Sequence, residues 1–196
     1  MYQNQKELEK PEWIRTRALV GEAEERFQHV KELTKNRRLH TICVEAKCPN
    51  IMECWSGGTA TFLLMGDVCT RYCRFCATKS ARQGVPIQEL ADEPHNLAKA
   101  VGELNLDYIV LTSVDRDDLP DQGAGHFADC VRAVKNEHPN MIIETLIPDF
   151  RGDEKCIETV AKAKPDVISH NLETVQELQS KVRDLRANYG QSLSVL

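Results

Sequence analysis

From Thr59 onward the chain passes four times from a short apolar run to a helical stripe, and this alternation limits its fold more than any other feature. The runs are TATFLLMGD, LDYIVLTSV (106–114), MIIETLIP (141–148) and DVISHNLE (166–173). They are rich in β-branched residues and bounded by turn formers, as strands of a buried parallel sheet are. Asp92, Glu93 and Pro94 make a helix start, after which Leu97, Val101 and Leu104 recur at helical spacing. Phe127, Val131 and Val134 mark a second helix, and Ile157, Val160 and Ala161 a third. After the fourth run, Thr174 and Glu177 have the spacing of a capping box, and Val175, Leu178, Val182 and Leu185 form the predicted buried stripe of a fourth helix. Successive βα units of this kind join by right-handed crossovers into a parallel sheet, so the expected class is α/β.

In such folds ligands bind past the carboxyl ends of the strands. Polar residues gather there in this chain: a cysteine-rich loop after the first strand, TSVDRDD after the second, Asp149 after the third and HNLE after the fourth. Thr112, Ser113, Asp115, Glu144 and Asn171 are therefore candidate ligand contacts, because inward polar groups at a barrel mouth need partners. Arg183 and Arg186 fit either a carboxylate ligand or plain surface charge at a helix end.

Residues 1–58 are polar and short of strand signals, with one predicted helix over 21–35, and are expected to wrap on the larger unit as an extension. Their stretch from Lys31 to Lys47 adds Lys35, Arg37, Arg38 and His40, and reads either as a solvated helix end or as a docking patch for an acidic partner. The whole chain carries a net charge of -5, which gives no general attraction to nucleic acid. No apolar run reaches the ~18 residues of a membrane span. MYQNQKELEKPEW lacks the apolar core of a secretory leader, and its acidic residues argue against a transit peptide, so the cytoplasm is the expected compartment.

A reducing compartment shifts the meaning of eight cysteines from disulfides to metal or catalysis. Cys69, Cys73 and Cys76 are spaced Cys-x3-Cys-x2-Cys, and Cys43, Cys48 and Cys54 are spaced Cys-x4-Cys-x5-Cys. Zinc ribbons need four ligands in two close pairs, whereas thiolate triplets suit iron–sulfur clusters with one iron left open to another ligand. Cys130 lies on an apolar helical face beside Val131 and Val134, and Cys156 precedes Ile157; both read as packing residues.

The second triplet, with Phe75 just before its last cysteine and a predicted strand ahead of it, resembles the cluster motif of the radical S-adenosylmethionine (radical SAM) superfamily. That resemblance implies a 4Fe-4S cluster on Cys69, Cys73 and Cys76 whose open iron chelates SAM and whose electron splits the sulfonium. LHTICVEAKCPNIMECW, GDVCTRYCRFCAT, LTSVDRDDLPDQGAGHFA, IETLIPDFRGD, HNLETV and RANYGQSL are together similar to the lipoyl synthase family, from KPEW onward. The family resemblance implies a partial radical SAM (β/α) barrel over 59–196 with about four βα units, and an extension over 1–58 whose Cys43, Cys48 and Cys54 hold an auxiliary 4Fe-4S cluster. It implies sulfur insertion at C6 and C8 of an octanoyl chain, the auxiliary cluster being the sulfur source, with Phe75, Thr112, Ser113, Glu144 and Asn171 around SAM. The implied partners are an octanoylated lipoyl carrier (a lipoyl domain or the glycine-cleavage H protein) and a low-potential electron donor such as flavodoxin or ferredoxin.

The chain stops at SLSVL, where lipoyl synthases continue through two more strand–helix units to an Arg-Ser-Ser-Tyr segment that caps the auxiliary cluster. Ser192 and Ser194 do not stand in that context. The expectation is an unpaired parallel edge at the fourth strand and sulfur insertion that is poor without the missing portion. Two other functions fit parts of the pattern: a short non-catalytic metal-binding interaction protein, and a relative thiolating another substrate as biotin synthase does. The first triplet's spacing speaks against the latter.

Overall fold

A computed structural model describes residues 19–104, 106 and 108–196. The leader reading of the first residues and the KPEW stretch lie outside the described residues. Helix α1 (Glu22–Asn36) occupies the predicted place and begins with three acidic residues in its first turn, which favour the positive end of the helix dipole. Its Phe27 packs on Trp55 with ring centroids 5.4 Å apart. Two short helices follow, α2 (Ile42–Glu45) and α3 (Ile51–Ser56), and between α1 and α2 lies β1 (His40–Thr41). Sequence reasoning missed this two-residue strand, which is too short to leave a pattern. It pairs antiparallel with the first strand of the main sheet, so that part of the extension is built into the sheet itself.

The four predicted βα strands are β2 (Thr59–Leu64), β5 (Tyr108–Ser113), β6 (Ile142–Leu146) and β7 (Val167–Ser169). They lie in the order β1-β2-β5-β6-β7, and the last four are parallel. Between β2 and β5 the cysteine loop forms a second small sheet from β3 (Val68–Cys69) and β4 (Lys79–Ser80). Crossovers α4 (Glu93–Leu104), α5 (Ala124–Glu137) and α6 (Glu154–Ala161) cover one face. Phe62, Ile109, Leu111 and Ile143 from that face join Leu97, Val101, Phe127, Val131 and Val160 in one core. Period-two alternation places the neighbouring residues on the opposite face, in rows set by the register. One row runs Thr61, Val110, Glu144, Val167, and the next, toward the strand ends, runs Leu63, Thr112, Leu146, Ser169. This face is the inner wall of a partial barrel and stays open, with Ile142 at 45% and Val167 at 42% exposure.

The fourth helix is not as expected. After β7 the chain makes a 3₁₀ turn at Gln176–Leu178, one turn of helix α7 (Gln179–Val182), an irregular stretch, and then α8 (Tyr189–Val195). The predicted apolar stripe faces solvent: Val175, Leu178 and Leu185 are 58%, 41% and 89% exposed. Buried instead are Gln179, Arg183, Ala187 and Ser192. The physical reason is a polar lock. Gln179 Nε2 donates to the Leu172 and Thr174 carbonyls, and Arg183 Nη1 donates to Gln179 Oε1 and Ser192 Oγ. These bonds fold the segment into a strap across the strand ends, where an amphipathic helix would have to turn the same polar groups outward.

Candidate functional site: a cysteine-lined cavity

A cavity of about 360 Å³ opens at the carboxyl ends of the strands. Its wall includes Cys69, Cys73, Phe75 and Cys76 of the cysteine loop; Thr112, Ser113 and Asp115 after β5; Asp149 after β6; and His170 and Asn171 after β7. Of the predicted ligand contacts, Phe75, Thr112, Ser113, Asp115 and Asn171 are thus brought together. Glu144 stands one row deeper, tied to the Tyr108 hydroxyl and accepting from Ser169 Oγ at 2.8 Å, and is not among the lining residues. Arg183 also lines the cavity and is buried, so its reading as plain surface charge is corrected. Arg186 pairs with Asp184 at 2.8 Å and donates to the Thr70 carbonyl at 2.6 Å, which removes it from the cavity wall.

The loop that carries the second triplet has almost no regular structure, so its shape depends on side-chain anchors. Arg71, inside Cys-x3-Cys, is 3% exposed and inserts beneath the loop. Its guanidinium donates to Asp117 at 2.8 and 3.0 Å and to Asp149 at 2.7 Å, and lies 3.4 Å from Asp115. Burial works against its charge, but the hydrogen bonds to Asp117 and Asp149 outweigh it and hold the guanidinium protonated. Burial would likewise raise Asp117, yet Arg71 and Arg151 pull it down to about 2. The strap holds the loop from the other side. Tyr72 N–H donates to Asp184 Oδ2 at 2.9 Å, Arg74 N–H donates to the Val182 carbonyl at 2.8 Å, and Asp184 N–H points at Cys73 Sγ at 3.3 Å. Sequence reasoning missed Arg71, Asp117 and the strap; an arginine between two clustered cysteines, with Asp-x-Asp after the next strand, was the available signal.

All eight cysteines are free thiols. Cys69 is pushed up to about 12 by burial and then by the Asp115 carboxylate, so a metal that binds this sulfur must displace a firmly held proton. Burial also raises Cys73. In the first triplet Cys43 sits on α2, Cys48 in the turn that its N–H closes onto the Cys43 carbonyl at 3.0 Å, and Cys54 on α3. Burial raises Cys54, and the neighbouring Cys43 and Cys48 add to it. Cys130 is fully buried and Cys156 5% exposed, both within the apolar core.

The donor set fits an iron–sulfur cluster: each triplet supplies three thiolates, the ligands such clusters take, and leaves one metal position open to another ligand. The cavity wall also fits a polar organic ligand, because Ser113 Oγ, His170 Nε2 and Arg183 Nε are buried there without a protein partner. No helix among the described residues is long and apolar enough to cross a membrane.

The chain is 55% identical to the lipoyl synthase of Anaeromyxobacter sp. (strain Fw109-5) over 95% of its own length and 62% of that protein's. It is 54% identical to the mitochondrial lipoyl synthases of Populus trichocarpa and Bos taurus, covering 97% and 96% of its own length but 50% and 51% of theirs. The chain therefore spans roughly half to three fifths of these relatives. Residues 63–196, from the last two residues of β2 through α8 and including the whole cysteine loop and strap, match the Radical SAM superfamily, and the chain belongs to that superfamily.

Proposed function

We propose that the chain is the catalytic portion of a lipoyl synthase, which inserts two sulfur atoms at C6 and C8 of a protein-bound octanoyl chain. The observation that carries this reading is that Ile42 and Ala46, which bracket Cys43 on α2, line the same cavity as Cys69, Cys73 and Cys76. Cys43, Cys48 and Cys54 do not themselves line it; one triplet in the wall and a second in the segment that reaches its rim suit a reaction in which one centre cleaves SAM and the other donates sulfur. In this reading Cys69, Cys73 and Cys76 hold the 4Fe-4S cluster that binds SAM, and Cys43, Cys48 and Cys54 hold the second. Residues 1–58 form the cluster-bearing extension and 59–196 the partial barrel. Together SAM and its cluster supply one-electron cleavage of the sulfonium, and with it abstraction of hydrogen from an unactivated carbon.

The chain's own residues bind, orient and exclude water. Arg71 fixes the cysteine loop to the ends of β5 and β6. Thr112, Ser113, His170 and Asn171 offer hydrogen bonds to the sugar or amino acid part of SAM, and buried Arg183, 3.7 Å from Asp149, offers charge to its carboxylate. Glu144 acts one row behind, holding Ser169. Leu63, Leu146, Ile147 and Phe75 give the wall the apolar surface that keeps water from a reactive centre. The partners are an octanoylated lipoyl carrier and a low-potential electron donor, and free cysteines favour a reducing compartment such as the cytoplasm.

Anaerobic reconstitution tests the reading. Iron and sulfide should each approach about eight per chain, as two cubanes require. Replacing Cys69, Cys73 and Cys76 by alanine should remove half of the iron and all formation of 5'-deoxyadenosine. Replacing Cys43, Cys48 and Cys54 should remove the other half and leave SAM cleavage. Zinc at either triplet with no SAM binding would favour the alternative of a metal-binding interaction protein.

A further inference from the structure

We propose that the outer face of the cysteine loop, joined to the strap, is the docking surface for an acidic one-electron carrier protein. This rests on the reading of Cys69, Cys73 and Cys76 as the ligands of a redox cluster. Such a cluster must receive one electron from outside for each SAM cleaved: the carrier is oxidised by one electron and the cluster reduced by one, with no bond made between the proteins.

Charge singles out the surface. Residues 68–88 contain Arg71, Arg74, Lys79 and Arg82 and no acidic residue, and the strap, residues 176–196, contains Lys181, Arg183 and Arg186 against Glu177 and Asp184, in a chain whose net charge is -5. Arg71 and Arg183 are buried and Lys79 pairs with Asp67, whereas Arg74 and Lys181 are exposed, and among the described residues neither is matched to a carboxylate. The bonds between loop and strap make these two cations neighbours, because the Arg74 N–H closes onto the carbonyl of Val182, the residue after Lys181. Large apolar side chains stand beside them in the open: Tyr72 and Phe75 are each 54% exposed and Leu185 89%. Exposed apolar groups beside two unpaired cations make a surface suited to brief, electrostatically steered encounters.

Position decides which acidic partner fits. Phe75 is shared with the cavity wall, whereas Tyr72, Arg74, Lys181 and Leu185 are not among the residues lining it. A carrier that must thread an acyl arm into the cavity gains nothing from this face. An electron carrier needs only proximity, and here Cys73 Sγ lies one hydrogen bond beneath the strap, 3.3 Å from the Asp184 amide nitrogen.

The test uses flavodoxin, a small acidic flavin protein, as probe. Titration of the cluster-free chain into ¹⁵N-labelled oxidised flavodoxin should broaden resonances around the flavin, and the broadening should fade with added salt. Lys181→Glu combined with Arg74→Glu should abolish it, and Leu185→Asp, at a position that buries nothing, should weaken it. In the reconstituted chain the same variants should slow reduction by flavodoxin hydroquinone about tenfold or more, as loss of steering does. Reduction by photogenerated deazaflavin radical, which needs no docking face, should stay within about twofold of the parent. Failure of reconstitution would overturn the cluster reading while the cluster-free titration still decides the surface. Undiminished flavodoxin binding by the charge-reversed chain, or equal slowing with both reductants, would overturn the docking proposal.

Discussion

Replacing Arg71 by methionine should destabilise the cluster-free chain by about 3–5 kcal/mol, the range for removing one partner of a buried ion pair. Methionine fills much of the same volume, so the cost is electrostatic rather than a cavity. Four contacts disappear, two to Asp117, one to Asp149 and the approach to Asp115. Asp117 keeps Arg151 at 2.8 Å and Arg186 at 3.3 Å, whereas Asp149, whose side chain is wholly buried, keeps only Arg183 at 3.7 Å as a cation. Most of the loss therefore falls on Asp149. Urea unfolding followed by circular dichroism measures the change, and the midpoint should fall with the slope unchanged. Adding Asp149→Asn removes the stranded charge, so the double variant should be more stable than the sum of the single changes by about 1–2 kcal/mol. A cost for Arg71→Met below about 1 kcal/mol, or strict additivity with Asp149→Asn, would refute the view that this arginine anchors the loop.

Acid should loosen the same anchor. Asp117 is held at about 2 against an ordinary 3.8, so its contribution is fully present above 3.8 and is lost as pH falls through about 2; thermal melts across that window should show the loss, and Asp117→Asn should flatten it. Gly123 has φ of 84°, and a Cβ there would lie 2.3 Å from Met65 Sδ, so Gly123→Ala should lower stability by about 1–3 kcal/mol in the same urea assay. Cys130→Ala should leave the iron content of reconstituted protein unchanged, whereas Cys76→Ala should lower it.

The parallel sheet was legible because each strand leaves a short apolar run between turn formers, and each crossover leaves a stripe such as Leu97, Val101 and Leu104. The cysteine spacings were legible because ligands of one centre stay close along the chain. What escaped was held by individual polar contacts, local in the strap and long-range beneath the cysteine loop. Val175, Leu178 and Leu185 have helical spacing, yet the hydrogen bonds of Gln179 and Arg183 decide that stretch, and no periodicity encodes them. Arg71 reaches Asp149, 78 positions away, and such a pairing leaves no trace in a window of sequence. His170 escaped because a histidine just past a strand reads alike whether its ring turns to the cavity or to solvent, and only the fold turns it inward.

The two flanks of the main sheet are unequal. On one side β1, with α2 and α3 packed against β2, occupies the border, while β7 shows three residues with Val167 and Ile168 exposed. The consequence lies on the β1 flank: an edge strand of two residues presents too few backbone groups to template the addition of another chain.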